Sequence, residues 1–154
     1  MMKYFLFTLI LCLLLTGCGR KEPQMSHFSV SRNDTQITLD APAEPVLKAL
    51  GAPFGYGEYR SGAHSGVEKT YRFQGLNLRT YSGQDGERIL GVMITEEGHQ
   101  TPEGISIGDS AARVRERFGS DAIQSGCCTV SRGGEKMVVM LEHNIVTAIQ
   151  YTLT

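Results

Sequence analysis

The stretch from Ile37 to Gly51 aligns without a gap on Ile105 to Gly119, at a constant offset of 68. Ile37 matches Ile105, Ala43 matches Ala111, Val46 matches Val114 and Gly51 matches Gly119; Leu39 opposite Ile107 and Leu50 opposite Phe118 keep apolar character. An internal repeat constrains a fold more than any local pattern, because each copy must bury the same stripe in the same way. The second copy shows the logic. Ile105 and Ile107 alternate into Gly108-Asp109-Ser110, where Asp109 or Ser110 can cap the free amides of a helix. Ala111, Val114 and Phe118 then fall at i, i+3 and i+7, one apolar stripe, and Gly119 supplies a left-handed stop. In the first copy Pro42 suits the opening turn, Pro45 still falls within it, and Val46, Leu47 and Leu50 make the stripe. Asp40-Ala41 there replaces the Gly-Asp of 108–109.

Helices this short must pack on something. Val67–Gln74, Leu76–Tyr81 and Ile89–Thr95 follow the first; Cys128–Ser131, Lys136–Glu142 and Ile145–Thr152 follow the second. All are rich in residues that suit half-buried sheet, with Gly75, Ser82–Gly86, Arg132-Gly133-Gly134 and His143-Asn144 as turns. Phe28 and Val30 suggest one more strand. The expectation is an α+β fold: a tandem repeat of a short helix followed by a three-stranded antiparallel meander, with copies at about 37–100 and 105–154 inside one globular domain, 27–154. One sheet face would take the helices and leave the other open.

The N-terminus specifies an address. Lys3 precedes the apolar run Tyr4–Leu15. As a helix that run spans about 18 Å, short of the roughly 30 Å hydrocarbon core. Residues 1–17 therefore read as a secretory signal peptide rather than a permanent span. Leu15-Thr16-Gly17-Cys18 comes next and closely resembles the lipobox of bacterial lipoproteins. In that family the Cys thiol receives a diacylglycerol and the chain is cut just before it. The resemblance implies lipidation at Cys18, with palmitate-type acyl chains as the anchor. Residues 18–26 are polar and aperiodic, as a lipidated tether would be.

The globular part also carries a resemblance. Its pattern is similar to the β-lactamase-inhibitor-protein-like fold and the small SmpA/OmlA lipoproteins. A closer likeness is to a group of Gram-positive bacterial lipoproteins, through Lys69-Thr70-Tyr71-Arg72-Phe73, Leu78-Arg79-Thr80-Tyr81 and, most specifically, Thr101–Ser110. It covers roughly 37–154 and implies a fold and an extracytoplasmic, membrane-anchored location, with no catalytic residue to carry over.

The search for chemistry is mostly negative. The 15 Lys and Arg nearly balance 16 Asp and Glu, so the basic footprint of a nucleic-acid binder is missing. No H-E-x-x-H, Walker A or G-x-S-x-G occurs. Gly62-Ala63-His64-Ser65-Gly66 has Ser65 one position late for a nucleophile elbow and reads as a glycine-rich loop. His27, His64, His99 and His143 are scattered and read as surface residues, and Glu96, Glu97 and Glu103 as a solvated linker. No cofactor, metal site or catalytic residue is expected. Of the four cysteines, Cys12 lies in the signal and Cys18 goes to lipid. Cys127 and Cys128 are adjacent, so in a strand they point to opposite faces and read as small apolar residues rather than a disulfide.

One segment has more character. Gly51–Gly66 contains five glycines, Phe54, Tyr56, Tyr59 and Arg60. A long loop with several aromatics is either folded onto the core or a recognition surface, and Tyr and Arg are typical interface anchors. Phe54, Tyr56, Tyr59 and Arg60 are the candidate binding residues. The expected function is a non-enzymatic protein-binding or envelope-assembly module, with a protein partner and the membrane as its contacts. The rivals are a cryptic cell-envelope hydrolase or other enzyme, and a structural or lipid-handling envelope component.

Overall fold

Along Glu135–Val139, Glu135, Met137 and Val139 are buried while Lys136 and Val138 are half-buried. That period of two belongs to a sheet with one covered face, and it recurs through most of the chain. The computed structural model describes residues 27–32, 34–62, 66–98 and 100–154. In chain order these form β1 (Ser29–Arg32), β2 (Thr35–Thr38), α1 (Ala43–Leu50), β3 (Gly55–Arg60), β4 (Val67–Phe73), β5 (Leu76–Gly83) and β6 (Gly86–Ile94). After them come α2 (Ala111–Phe118), β7 (Ile123–Gln124), β8 (Cys127–Arg132), β9 (Glu135–Glu142) and β10 (Ile145–Leu153). β1 and β2 pair as a separate hairpin. The other eight strands make one antiparallel sheet in the order β3-β4-β5-β6-β10-β9-β8-β7.

This architecture corrects the expected fold class. Among the described residues the chain is mostly β, with two eight-residue helices, and is not an α+β tandem of helix plus three-stranded meander. Two physical reasons account for the difference. Gly55–Arg60, read as loop, is a strand paired along its full length with β4, and the short β7 adds to the other end. Each helix is therefore followed by four strands. β6 and β10 then pair with each other, Ile94 opposite Ile149 and Val92 opposite Tyr151, so two separate meanders do not exist. The pairing joins segments distant in sequence, and nothing local to either strand specifies it.

Paired positions Tyr56, Tyr71, Leu78, Val92, Tyr151, Met137 and Val130 form one row across the covered face. The helices and the β1–β2 hairpin lie over that face: Val46, Val114, Val30 and Ile37 share one core with Leu78, Val92, Val139 and Ile149. Each such side chain contributes about 1.5–3 kcal/mol on burial. The cover thins towards β3, where Tyr71 is only half-buried and Tyr56 is exposed.

Both central strands bulge, β6 at Leu90 in its middle and β10 at Thr147 near its start. A bulge bends a strand and frees its edge. Here each freed edge takes the segment leading into a helix. Asp40 N–H donates to Ile89 O at 2.8 Å and Ile89 N–H to Ala41 O at 2.9 Å; Val146 N–H donates to Asp109 O and Ala111 N–H to Asn144 O, both at 2.8 Å. Ser110 caps α2 by accepting from Arg113 N–H at 3.3 Å, while Asp109 accepts from Ser106 N–H. α1 has no side-chain cap, because its N-cap position is Pro42, which carries no side-chain acceptor; Asp40 just before it is engaged by Tyr81 and Arg88. Gly51 and Gly119 end the helices at φ 80° and 107°.

Candidate recognition site

The uncovered end of the sheet is built from β3, β4, β5 and β6, and its two faces carry different networks. On the open face, Glu68 is opposite Tyr59 on β3 and Tyr81 on β5. Its carboxylate is 4% exposed as a residue, yet it accepts from three side chains: Ser61 Oγ at 2.5 Å, Tyr59 OH at 2.5 Å and Arg79 Nη2 at 2.7 Å. Burial pushes the Glu68 carboxyl up, but the hydrogen bonds from Ser61, Tyr59 and Arg79, with the guanidinium charge, outweigh it and hold the group at about 2. Glu68 is thus ionised at physiological pH, and Tyr59 is fixed by its hydroxyl. Beside this network lies a pocket of about 230 Å³ lined by Thr70, Arg72, Asn77, Arg79, Met93 and Gln150. Arg72 is exposed and runs over Gly55, where a Cβ would sit 3.4 Å from its Cβ and Cδ.

On the covered face the same strands hold a second network. Glu87 accepts from Lys69 Nζ at 2.7 Å, Tyr71 OH at 2.8 Å and Thr80 Oγ1 at 2.5 Å. Burial raises the Glu87 carboxyl, and these three donors more than reverse the effect. Burial, then Glu87, pushes the Tyr71 phenol up to about 12. The Tyr56 ring stacks on Tyr71 with centroids 5.2 Å apart at 53°, and its hydroxyl donates to Glu58 at 2.7 Å.

The four candidate binding residues all fall at this end: Tyr56, Tyr59 and Arg60 in β3 rather than in a loop, and Phe54 immediately before it. Phe54 is 76% exposed, Tyr56 51%, Tyr59 47%, and Arg60 is also exposed. They do not share one face. Tyr56 and Arg60 point to the helix side and Tyr59 to the open side, so together they flank the outer edge of β3, which no other described strand pairs. None is a plug of the helix–sheet junction. The sequence reading missed the residues that hold them: Glu68, Arg79, Ser61, Lys69 and Glu87. The alternation of Glu68-Thr70-Arg72 against Lys69-Tyr71-Phe73 is the one local sign that this strand is polar on its open face.

Other candidates separate. His64 and Ser65, and His99, lie outside the described residues, as do Cys18, the signal segment and the tether. His27 approaches Glu135 at 3.0 Å, and His143 sits at φ 51° in the β9–β10 turn with Asn144 at φ 66°, the pair that a type I′ hairpin requires. The reading of Glu96, Glu97 and Glu103 as a solvated linker is corrected for Glu103. It is buried, accepts from Tyr151 OH at 3.1 Å and lies 3.7 Å from Arg132, while Glu96 pairs with Arg32. Cys127 and Cys128 are free and paired opposite Met140 and Val139; burial raises the Cys128 thiol.

No protein-family model and no curated protein matches the chain. Among solved structures it is similar to an extracellular protein containing a SCP domain from Bacillus anthracis str. Ames, at 10% sequence identity and a TM-score of 0.42. That match covers 80% of this chain and 50% of the other, so the chain spans about half the length of that structure. Among the described residues no helix is long and apolar enough to cross a membrane.

Proposed function

We propose that this protein is a lipid-anchored, extracytoplasmic module that binds a protein partner without catalysing a reaction, and that β3 is the edge through which it binds. The lipobox pattern at Leu15–Cys18 supports the anchor. The observation that carries the binding reading is the outer edge of β3, which no other described strand pairs, flanked by Phe54, Tyr56 and Tyr59, with both tyrosines held by hydroxyl hydrogen bonds. Aromatic side chains fixed before binding lose little freedom on contact, which favours affinity. The surrounding carboxylates Glu68 and Glu87 are saturated with donors, so they position neighbouring side chains and remain charged rather than exchanging protons.

Two measurements test this reading. Cys18→Ser should abolish metabolic labelling with a fatty acid and release the protein from membranes; equal labelling of the variant would overturn the anchor. Phe54→Ala with Tyr56→Ala should leave the unfolding free energy from urea melts within about 1 kcal/mol of wild type, about 0.5 kcal/mol for each exposed substitution. The same pair should remove a partner captured by crosslinking, because interface aromatics often contribute 2 kcal/mol or more. Unchanged capture would overturn the recognition edge.

A further inference from the structure

We infer that the partner at β3 is β3 of a second copy, paired antiparallel about a twofold axis at Gly57, so that two eight-stranded sheets join edge to edge. The inference rests on reading β3 as the recognition edge, and it goes further by naming the occupant. β3 is the terminal strand of the sheet and contains no proline. Its ladder to β4 runs from Gly55 opposite Arg72 to Arg60 opposite Val67, and Ser61 N–H donates to Gly66 O just beyond. In an antiparallel ladder hydrogen-bonded pairs alternate. Gly55, Gly57 and Tyr59 therefore turn their backbone groups towards β4. Tyr56, Glu58 and Arg60 turn theirs outwards, where no described strand meets them. Such a row is a template for another strand.

The outward groups belong to alternate residues, so a second β3 can bond only in registers that set like-facing residues opposite each other. Six such registers have their axis on a strand residue, and only those centred on Gly57 and Glu58 pair five residues of β3. An axis at Glu58 places two Glu58 carboxylates directly opposite, which like charge disfavours. An axis at Tyr56 or Tyr59 pairs only three strand residues, and one at Gly55 or Arg60 only one. An axis at Gly57 pairs Gly55 to Tyr59 with Tyr59 to Gly55 and has no like-charge contact. It sets Tyr56 opposite Glu58 of the second copy, the same phenol–carboxylate match already made within one chain. It sets Tyr59 opposite Gly55, which adds no side chain to disturb the Tyr59 network, and brings Arg60 to the end that carries Phe54, a cation and an exposed ring. Gly57 meets itself on the axis, and a Cβ there has no neighbour within 4 Å.

The experiment places one cysteine on the axis. In a Cys127→Ser background of the full chain, in membranes, Gly57→Cys sets two thiols at a non-hydrogen-bonded pair about 4.5 Å apart between Cα atoms, within disulfide range. Treatment with diamide should convert most of the chain to a disulfide dimer. Gly55→Cys, whose counterpart lies at the far end of the pairing, should crosslink at least about tenfold more slowly, as should the unsubstituted background. Glu58→Pro added to Gly57→Cys removes an outward N–H but no bond to β4, so the fold should persist while dimer falls about tenfold. Equal crosslinking by Gly55→Cys and Gly57→Cys, or no dimer from Gly57→Cys, overturns the inference whether or not the proline variant folds. If Gly57→Cys instead gives adducts with a different protein, the recognition edge stands and the self-pairing fails. If Phe54 and Tyr56 also prove dispensable for capture, both fail.

Discussion

At Glu68 three donors from β3, its following turn and β5 converge on one buried carboxylate, which only the β3–β4–β5 register brings together. The consequence is a pH dependence of definite sign. The folded-state value, about 2, lies below the ordinary 4.5, so this contribution is complete above about 4.5 and is lost as pH falls through about 2. Glu68→Gln should cost about 1–3 kcal/mol at neutral pH, the scale of a disturbed buried hydrogen-bond group. The gap between variant and wild type should narrow in urea melts as pH is lowered from 7 towards 2. A gap independent of pH would mean that the charge of Glu68 is not what its neighbours stabilise. Phe54 offers the contrast, since an exposed ring can be removed with little effect on folding.

The two helices occupy similar positions but start differently. Ser110 supplies a side-chain cap to α2, whereas α1 follows Pro42 without one. Ser110→Ala should therefore lower stability by about 1 kcal/mol, and urea melts compare it with Ser110→Thr, which retains the acceptor. Equal melts for both would show that the cap is not used. Val114 is fully buried, so Val114→Asp places an unpaired charge under the sheet and should destabilise the fold by several kcal/mol. The helices were legible because i, i+3, i+7 spacing and a closing glycine are local signals. Strand β3 was not. Gly55 and Gly57 leave Tyr59 as the one side chain of β3 on its open face, so the apolar alternation that marks β4 or β9 never develops, and glycine-rich sequence reads as loop.

At the scale of the whole molecule, the seam between β6 and β10 turns two sets of strands into one sheet. Gly91 sits opposite Thr152 there, and a Cβ on it would come within 2.7 Å of Tyr151 O. Gly91→Val should cost about 1–3 kcal/mol by overpacking. Amide exchange should rise together at Gly91–Ile94 and Ile149–Thr152; unchanged protection on either side would show that the seam does not hold the halves as one unit. By itself the sequence determined the two helices, most of the strands, and the aromatic character of 54–60, and it carries an apolar run and a lipobox-like pattern in its first eighteen residues. These are matters of spacing and composition within short windows. Only the tertiary structure decided that the strands form a single sheet, that Gly55–Arg60 is its edge, and that Glu68, Arg79 and Tyr59 meet. Strand pairing is set by which faces can be buried together, a property of segments far apart in the chain that no single window contains.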